Sequence, residues 1–244
     1  MSLAAVVSGT SRVAAAVRLD LRLEWRYGAV AAAGITAATW VAVLTRVPGS
    51  VLGAAVPLVL FVDSAVIGLF FFSAMVLFEK GERTLQALVV TPLRFGEYLA
   101  SKLVTFTGLA LAGSVIVVLA GGRGTPFDPL PLVAGVTLLS VLTLEISLIL
   151  AARFDSLPSL LIGSHLPLAP LFFFPLASFF GWLHSPLFWL FPTHAALRLI
   201  GGAFSGLAGW EPAAGIACLL AWIAALVPLA RRSFQRHIVA RAGA

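Results

Sequence analysis

Glu79-Lys80-Gly81-Glu82-Arg83-Thr84-Leu85, continued through Thr91-Pro92-Leu93 to Glu97-Tyr98-Leu99 and Lys102, is a polar interruption between two long apolar runs. Residues 51–78 before it carry a single charge, Asp63, and residues 103–120 after it carry none. Runs of this length and apolarity read as membrane-spanning helices. The polar stretch is therefore a connector between two spans, lying at one membrane face, and the rest of the chain is read outward from it.

Composition points the same way. Hydrophobic residues make up 60% of the chain and charged residues 11%, against about 25% charged in ordinary soluble domains. With a mean hydropathy of +1.05, the chain reads as a polytopic membrane protein, all-α throughout. Its 244 residues hold about six spans of roughly 20 residues, with little left for a folded soluble domain. Any energy source lies outside the chain, in a partner or an ion gradient. Cys218 has no second cysteine to pair with and reads as a small apolar side chain. Arg12, Arg18, Asp20, Arg22, Glu24 and Arg26 are scattered ahead of the first apolar run, which is unlike a cleaved signal peptide.

The expected spans are residues 27–44, 51–78, 103–120, 130–152, 159–180 and 212–230, together a permease domain over 27–230. Residues 1–26 form an N-terminal segment and 231–244 a basic tail. Within 19–26 the alternation is strand-like, yet Val13, Val17, Leu21 and Trp25 form one helical ridge. Helix is the better reading, because a lone strand at a membrane surface leaves backbone groups unpaired. The fifth span carries Pro167, Pro170 and Pro175 and is expected to be kinked or broken. Between 181 and 210, prolines and glycines break an otherwise apolar stretch whose Trp182, Trp189 and Trp210 suit the lipid interface. It reads as interfacial or re-entrant.

Lysine and arginine stay on the cytoplasmic side of short loops. With both termini cytoplasmic, only Arg46, Arg123 and Arg198 fall outside, and the other 13 of the 16 basic residues lie inside. Topology and anionic lipid thus account for the net charge of +6 without a nucleic-acid partner.

Within the connector, residues 82–90 suit a short helix with Leu85, Leu88 and Val89 on one face. Thr91-Pro92 then resets the chain, with Thr91 placed to cap a new helix that starts at Pro92. The shape is a small knob for a groove on another protein. Glu79, Glu82, Thr84, Leu85, Thr91, Pro92, Leu93, Glu97, Tyr98 and Lys102 match the connector pattern of type-2 permeases of ATP-binding cassette exporters. Arg83 stands where that pattern usually has glycine, and Ser101 precedes the lysine. The segment is particularly similar to permease subunits of bacterial fluoroquinolone exporters. Span number and Phe191-Pro192-Thr193 leading to Leu197-Arg198 extend the resemblance over the chain.

The resemblance implies a multi-pass permease of the bacterial cell membrane, made of two permease halves, identical or sister chains, with two separate ATPase subunits on the cytoplasmic face. It implies that the connector is a coupling helix docked on the ATPase, with Glu79, Glu82, Arg83, Thr84, Leu85, Leu88, Thr91, Pro92 and Arg94 as its coupling residues. It also implies that spans two and five line a central path, for a cargo that is a hydrophobic or amphipathic drug. The chain has no G-x-x-x-x-G-K-[ST] loop, so ATP and magnesium belong to the partner and no cofactor to this chain.

Asp63 and Glu145 are the two carboxylates within spans, where exposing a charge to lipid costs about 3 kcal/mol. Either they are protonated or paired with a serine or threonine across a helix interface, or Asp63 belongs to a cation-attracting path, or the two carry protons. For Glu145, a rim contact with Arg153 or a connector residue is equally open. Phe70, Phe71, Phe72, Phe172, Phe173 and Phe174 offer an aromatic wall from some subset, or simply face lipid. The four histidines lack metal-ligand spacing, so no metal site is expected, and there is no H-E-x-x-H or G-x-S-x-G set for catalysis. An ATP-driven export permease is the leading reading. An ion-coupled secondary transporter using Asp63 and Glu145, and a membrane anchor with no path of its own, are the alternatives.

Overall fold

The computed structural model describes residues 3–82 and 95–236. Among them there are nine α-helices and no strands, as the bilayer demands of a chain that must satisfy its own backbone. Helix α1 (Leu3–Arg26) turns into α2 (Ala29–Leu44) through a 64° bend. Gly28 makes that corner in the left-handed region, φ 79°, which glycine adopts without a Cβ clash.

The second span is a single rod, Gly49–Gly81, 33 residues long. It consists of α3 (Leu52–Val66), a π-helical turn at Ile67–Phe71 and α4 (Phe72–Gly81). At about 1.5 Å per residue it outruns a hydrocarbon core of about 30 Å, so it tilts or projects. The π turn coincides with a close helix approach: a Cβ on Gly68 would collide with Thr143 Oγ1. Ser147 Oγ donates to the Leu69 carbonyl at 3.1 Å and lies 2.5 Å from Ser73 Oγ. A backbone carbonyl loosened by the π turn thus finds a hydroxyl partner.

Helix α5 (Phe95–Ile116) runs on through a second π turn to Gly121. It starts eight residues ahead of the expected third span, because Tyr98, Ser101 and Lys102 find polar partners and are buried rather than left at the rim. Helix α6 (Pro129–Arg153) is capped by Asp128, whose carboxylate accepts the Leu130 N–H at 3.0 Å. It is the hub, packed against α3, α4, α5, α8 and α9.

Helix α7 (Leu157–Phe179) holds the three prolines and bends by 55° between its parts Leu157–Ser164 and Leu166–Phe179. After a 3-10 turn at Pro186–Leu190 comes α8 (Pro192–Ser205), a helix of 14 residues largely buried between α3, α6, α7 and α9. Residues 181–210 therefore re-enter the bundle. Helix α9 (Glu211–Phe234) completes it, mostly exposed along its length. Among the described residues four rods are long and apolar enough to cross a membrane, or up to six if each bent pair counts as one.

Candidate functional site

The connector begins and ends on one polar cluster. Tyr98, Ser101, Lys102 and Thr105 recur at helical spacing and so share a face of α5. Asp20 and Glu24 do the same on α1, and Glu79 stands near the end of α4. Lys102, 0% exposed, binds Glu79 and lies 2.8 Å from Asp20 Oδ1. Tyr98 donates to Glu79 Oε2 at 2.9 Å, and Ser101 donates to Asp20 Oδ2 at 2.6 Å. The ammonium also sits 5.6 Å from the Tyr98 ring centre. These partners offset the desolvation of a buried ion, and removing one of them strands the rest.

Glu24 is buried beside this cluster with one oxygen unpartnered. In α1, ahead of the expected first span at residues 27–44, burial pushes its carboxyl up to about 7, against the opposing pull of Thr105 and Lys102. The same helix exposes Leu19, Leu21 and Trp25 along with Arg18, Arg22 and Arg26. It thus turns its acids inward and presents apolar and basic groups outward, the reverse of a soluble amphipathic helix and suited to an anionic lipid surface.

Further clasps surround the cluster. Lys80 Nζ donates to the Phe154 carbonyl at 2.9 Å and to Asp155 Oδ1 at 2.6 Å, tying α4 to the turn between α6 and α7. Tyr27 donates to Glu82, and Arg12 Nη2 lies 3.0 Å from Glu97 Oε1. Of the expected coupling residues, Glu79 faces inward and Glu82 meets Tyr27. Arg83, Thr84, Leu85, Leu88, Thr91, Pro92 and Arg94 lie outside the described residues.

The intramembrane carboxylates are placed differently. Asp63, 2% exposed, accepts the Trp40 indole N–H at 3.1 Å, and its other oxygen faces Gly113. Its partners across the helix interface are thus the Trp40 indole and, acting on it from the same helix, the Thr36 hydroxyl. It looks toward α2 and α5 and does not line either cavity described below. Glu145 is fully buried with neither oxygen hydrogen-bonded. The rim contact with Arg153 is not made, because eight helical residues separate them by about 12 Å.

A cleft runs along the seam between α3 and α7. Its inner part, a cavity of about 320 Å³, is lined by Phe61, Phe70 and Phe172, with Phe61 and Phe172 ring centres 6.1 Å apart. The other expected phenylalanines scatter. Phe72 is buried edge-on against Phe106, Phe71 packs on the core, Phe173 is exposed, and Phe174 stacks on Phe188. Successive helical residues are about 100° apart, so a run of three cannot form one wall. Phe61 was missed in the sequence because, nine residues before Phe70, it falls half a turn out of phase on a regular α-helix; the π turn at Ile67–Phe71 changes that phase, and both rings line the cavity.

The sequence pattern of the fluoroquinolones export permease protein family matches residues 11–242. Fluoroquinolones export permease proteins of Mycobacterium tuberculosis, from strains CDC 1551 / Oshkosh and ATCC 25618 / H37Rv, are each 36% identical to this chain over 235 residues. The alignments cover 96% of this chain and 99% of each relative.

Proposed function

The chain belongs to the fluoroquinolones export permease protein family, a multi-pass bacterial membrane protein and transport subunit, and from that premise we propose that it is the membrane half of an ATP-driven exporter. ATP and magnesium bind on separate ATPase subunits. Two permease halves, identical or sister chains, face one another across the α3–α7 cleft and close its open side. The cargo is an amphipathic, fluoroquinolone-like compound carried outward.

One observation supports this reading above the rest. Lys102 joins the two ends of the connector, Glu79 before it and α5 after it, to Asp20 of the N-terminal helix inside packed apolar surroundings. A push on the connector therefore moves α1, α4 and α5 as one body. Helix α7, bent at its prolines and in sparse contact with α4 and α6, is the element against which that body shifts. The cleft between α3 and α7 changes width, and a flat cargo held on Phe61, Phe70 and Phe172 is released on the outer side. The chain contributes docking, leverage and a binding cleft, and no covalent step.

The test is co-expression with candidate ATPase subunits, purification through a tag on this chain, and assay of the ATPase activity that follows it. Activity should co-purify with the wild type and be lost in Leu85→Asp, which sets a charge on the apolar face of the connector. Equal recovery from both forms would remove the connector from the coupling role. A second reading, proton coupling, is favoured by Glu145, whose two oxygens are buried without a partner. Transport abolished by an uncoupler at constant ATP would turn the assignment toward it.

A further inference from the structure

A second cavity lies next to the aromatic one along the same α3–α7 seam. Along α3, Pro57 lines it one turn before Phe61; along α7, Pro175 lines it next to Leu176 of the first. This outer cavity, about 370 Å³, is closed from behind by α8 through His194 and Arg198. The two lie one turn apart and so share a face. His194 is 6% exposed, with Nε2 3.3 Å from Ser178 Oγ and Nδ1 without a hydrogen-bond partner.

Arg198 uses Nη2 on Glu211, whose second oxygen accepts the Ala208 N–H at 2.9 Å. Glu211 is thereby fixed behind the guanidinium and holds it in place. A guanidinium carries five N–H donors, and Arg198 spends only its Nη2 edge on protein. Among the described residues no acidic side chain lines either cavity, and Arg198 is the charged residue that does. A site with spare fork-shaped donors, a hydroxyl and an imidazole, and no facing carboxylate, complements an anion.

We propose that the outer cavity is a carboxylate-binding subsite of the cargo cleft, with Arg198 as the anion ligand and His194 and Ser178 as its neighbours, while the aromatic body lies on Phe61, Phe70 and Phe172. The assignment rests on the export reading above and narrows the cargo to flat aromatic carboxylates. A fluoroquinolone, named for the mycobacterial relatives, is a fused planar ring bearing a carboxylate, and its two ends match the two parts of the cleft. An anionic lipid headgroup offers the same charge without the ring.

The test uses the full chain in phosphatidylcholine nanodiscs without an ATPase, with norfloxacin and its carboxyl methyl ester as probes and quinolone fluorescence as the readout. The wild type should bind the acid about tenfold more tightly than the ester. Arg198→Gln should erase that ratio and leave ester binding unchanged, Arg198→Lys should retain part of it, and Phe172→Ala should weaken both probes alike. Equal binding of acid and ester by the wild type overturns the subsite while leaving the export reading to its own ATPase test. An equal loss of both probes in Arg198→Gln also overturns it, since the arginine would then be structural. Binding of neither probe overturns subsite and cleft together. If Arg198→Gln carries less phosphatidylglycerol through purification, before reconstitution, while the acid-to-ester ratio persists, the site belongs to lipid and the cargo assignment falls.

Discussion

Lys102 and Arg198 are both basic side chains set among apolar helices, and they differ in what is left over. Lys102 is fully buried and fully engaged, with Glu79, Asp20 and the Tyr98 ring around it. Arg198 is about half exposed, meets Glu211 on one edge and opens onto a cavity. A saturated buried ion acts as a fastener, because nothing can approach it and everything near it depends on it. An unsaturated ion beside open space is available to a ligand. The cluster around Lys102 thus has the make-up of a fastener and the cavity beside Arg198 that of an open polar site, although in sequence both look like single charges near apolar runs.

The hardest break of this contrast is Lys102→Met. It strands two or three carboxylates in a dry interior and should cost about 3–5 kcal/mol, seen as a fall of roughly 10 °C in melting temperature in detergent. An unchanged melting temperature would mean the cluster is hydrated and no fastener. Adding Glu79→Met to that variant should recover about half the loss, since a matched apolar pair replaces a broken ionic one. No recovery would place the damage on Asp20 instead.

Glu24 sharpens the contrast through pH. Its folded-state carboxyl titrates near 7, above the unfolded value of 4.5, so the folded form holds the proton more tightly. Its contribution to stability is present below pH 4.5 and lost as pH rises through 7. Glu24→Gln should remove about 2 kcal/mol of the decline between pH 5 and 8, read from melting temperatures across that range. Parallel pH curves for the two proteins would argue that Glu24 is ionised and paired. The smallest effect is expected at Arg198→Gln. Its pair with Glu211 is half exposed, and stability should change by no more than about 1 kcal/mol, leaving binding as its phenotype. A loss comparable to Lys102→Met would erase the distinction between fastener and ligand.

Much of this was legible beforehand. The polar interruption at residues 79–102 was visible because charge is rare everywhere near it, and the proline-laden fifth span was expected to bend and does. Glu79 and Lys102 were seen as connector residues, but their union was not, because they are 23 positions apart on two different helices. The acids of α1 were legible only as charges scattered ahead of the first apolar run; packing against α5 turns Asp20 and Glu24 inward. His194 and Arg198 lay in a stretch too broken to read as a simple span, with no helix bounds to set their register, so their common face was hidden.

The sequence by itself determined that this is an all-helical membrane protein, roughly where its spans lie and where the connector interrupts them. Those properties follow from comparing run length and hydropathy with the thickness of a bilayer, which needs no partner residue. Only the tertiary structure decided which polar groups are fasteners and which are free. That depends on how each helix is rotated about its axis and what it meets, and the burial or exposure of a charge is a property of the assembled neighbours, not of the residue.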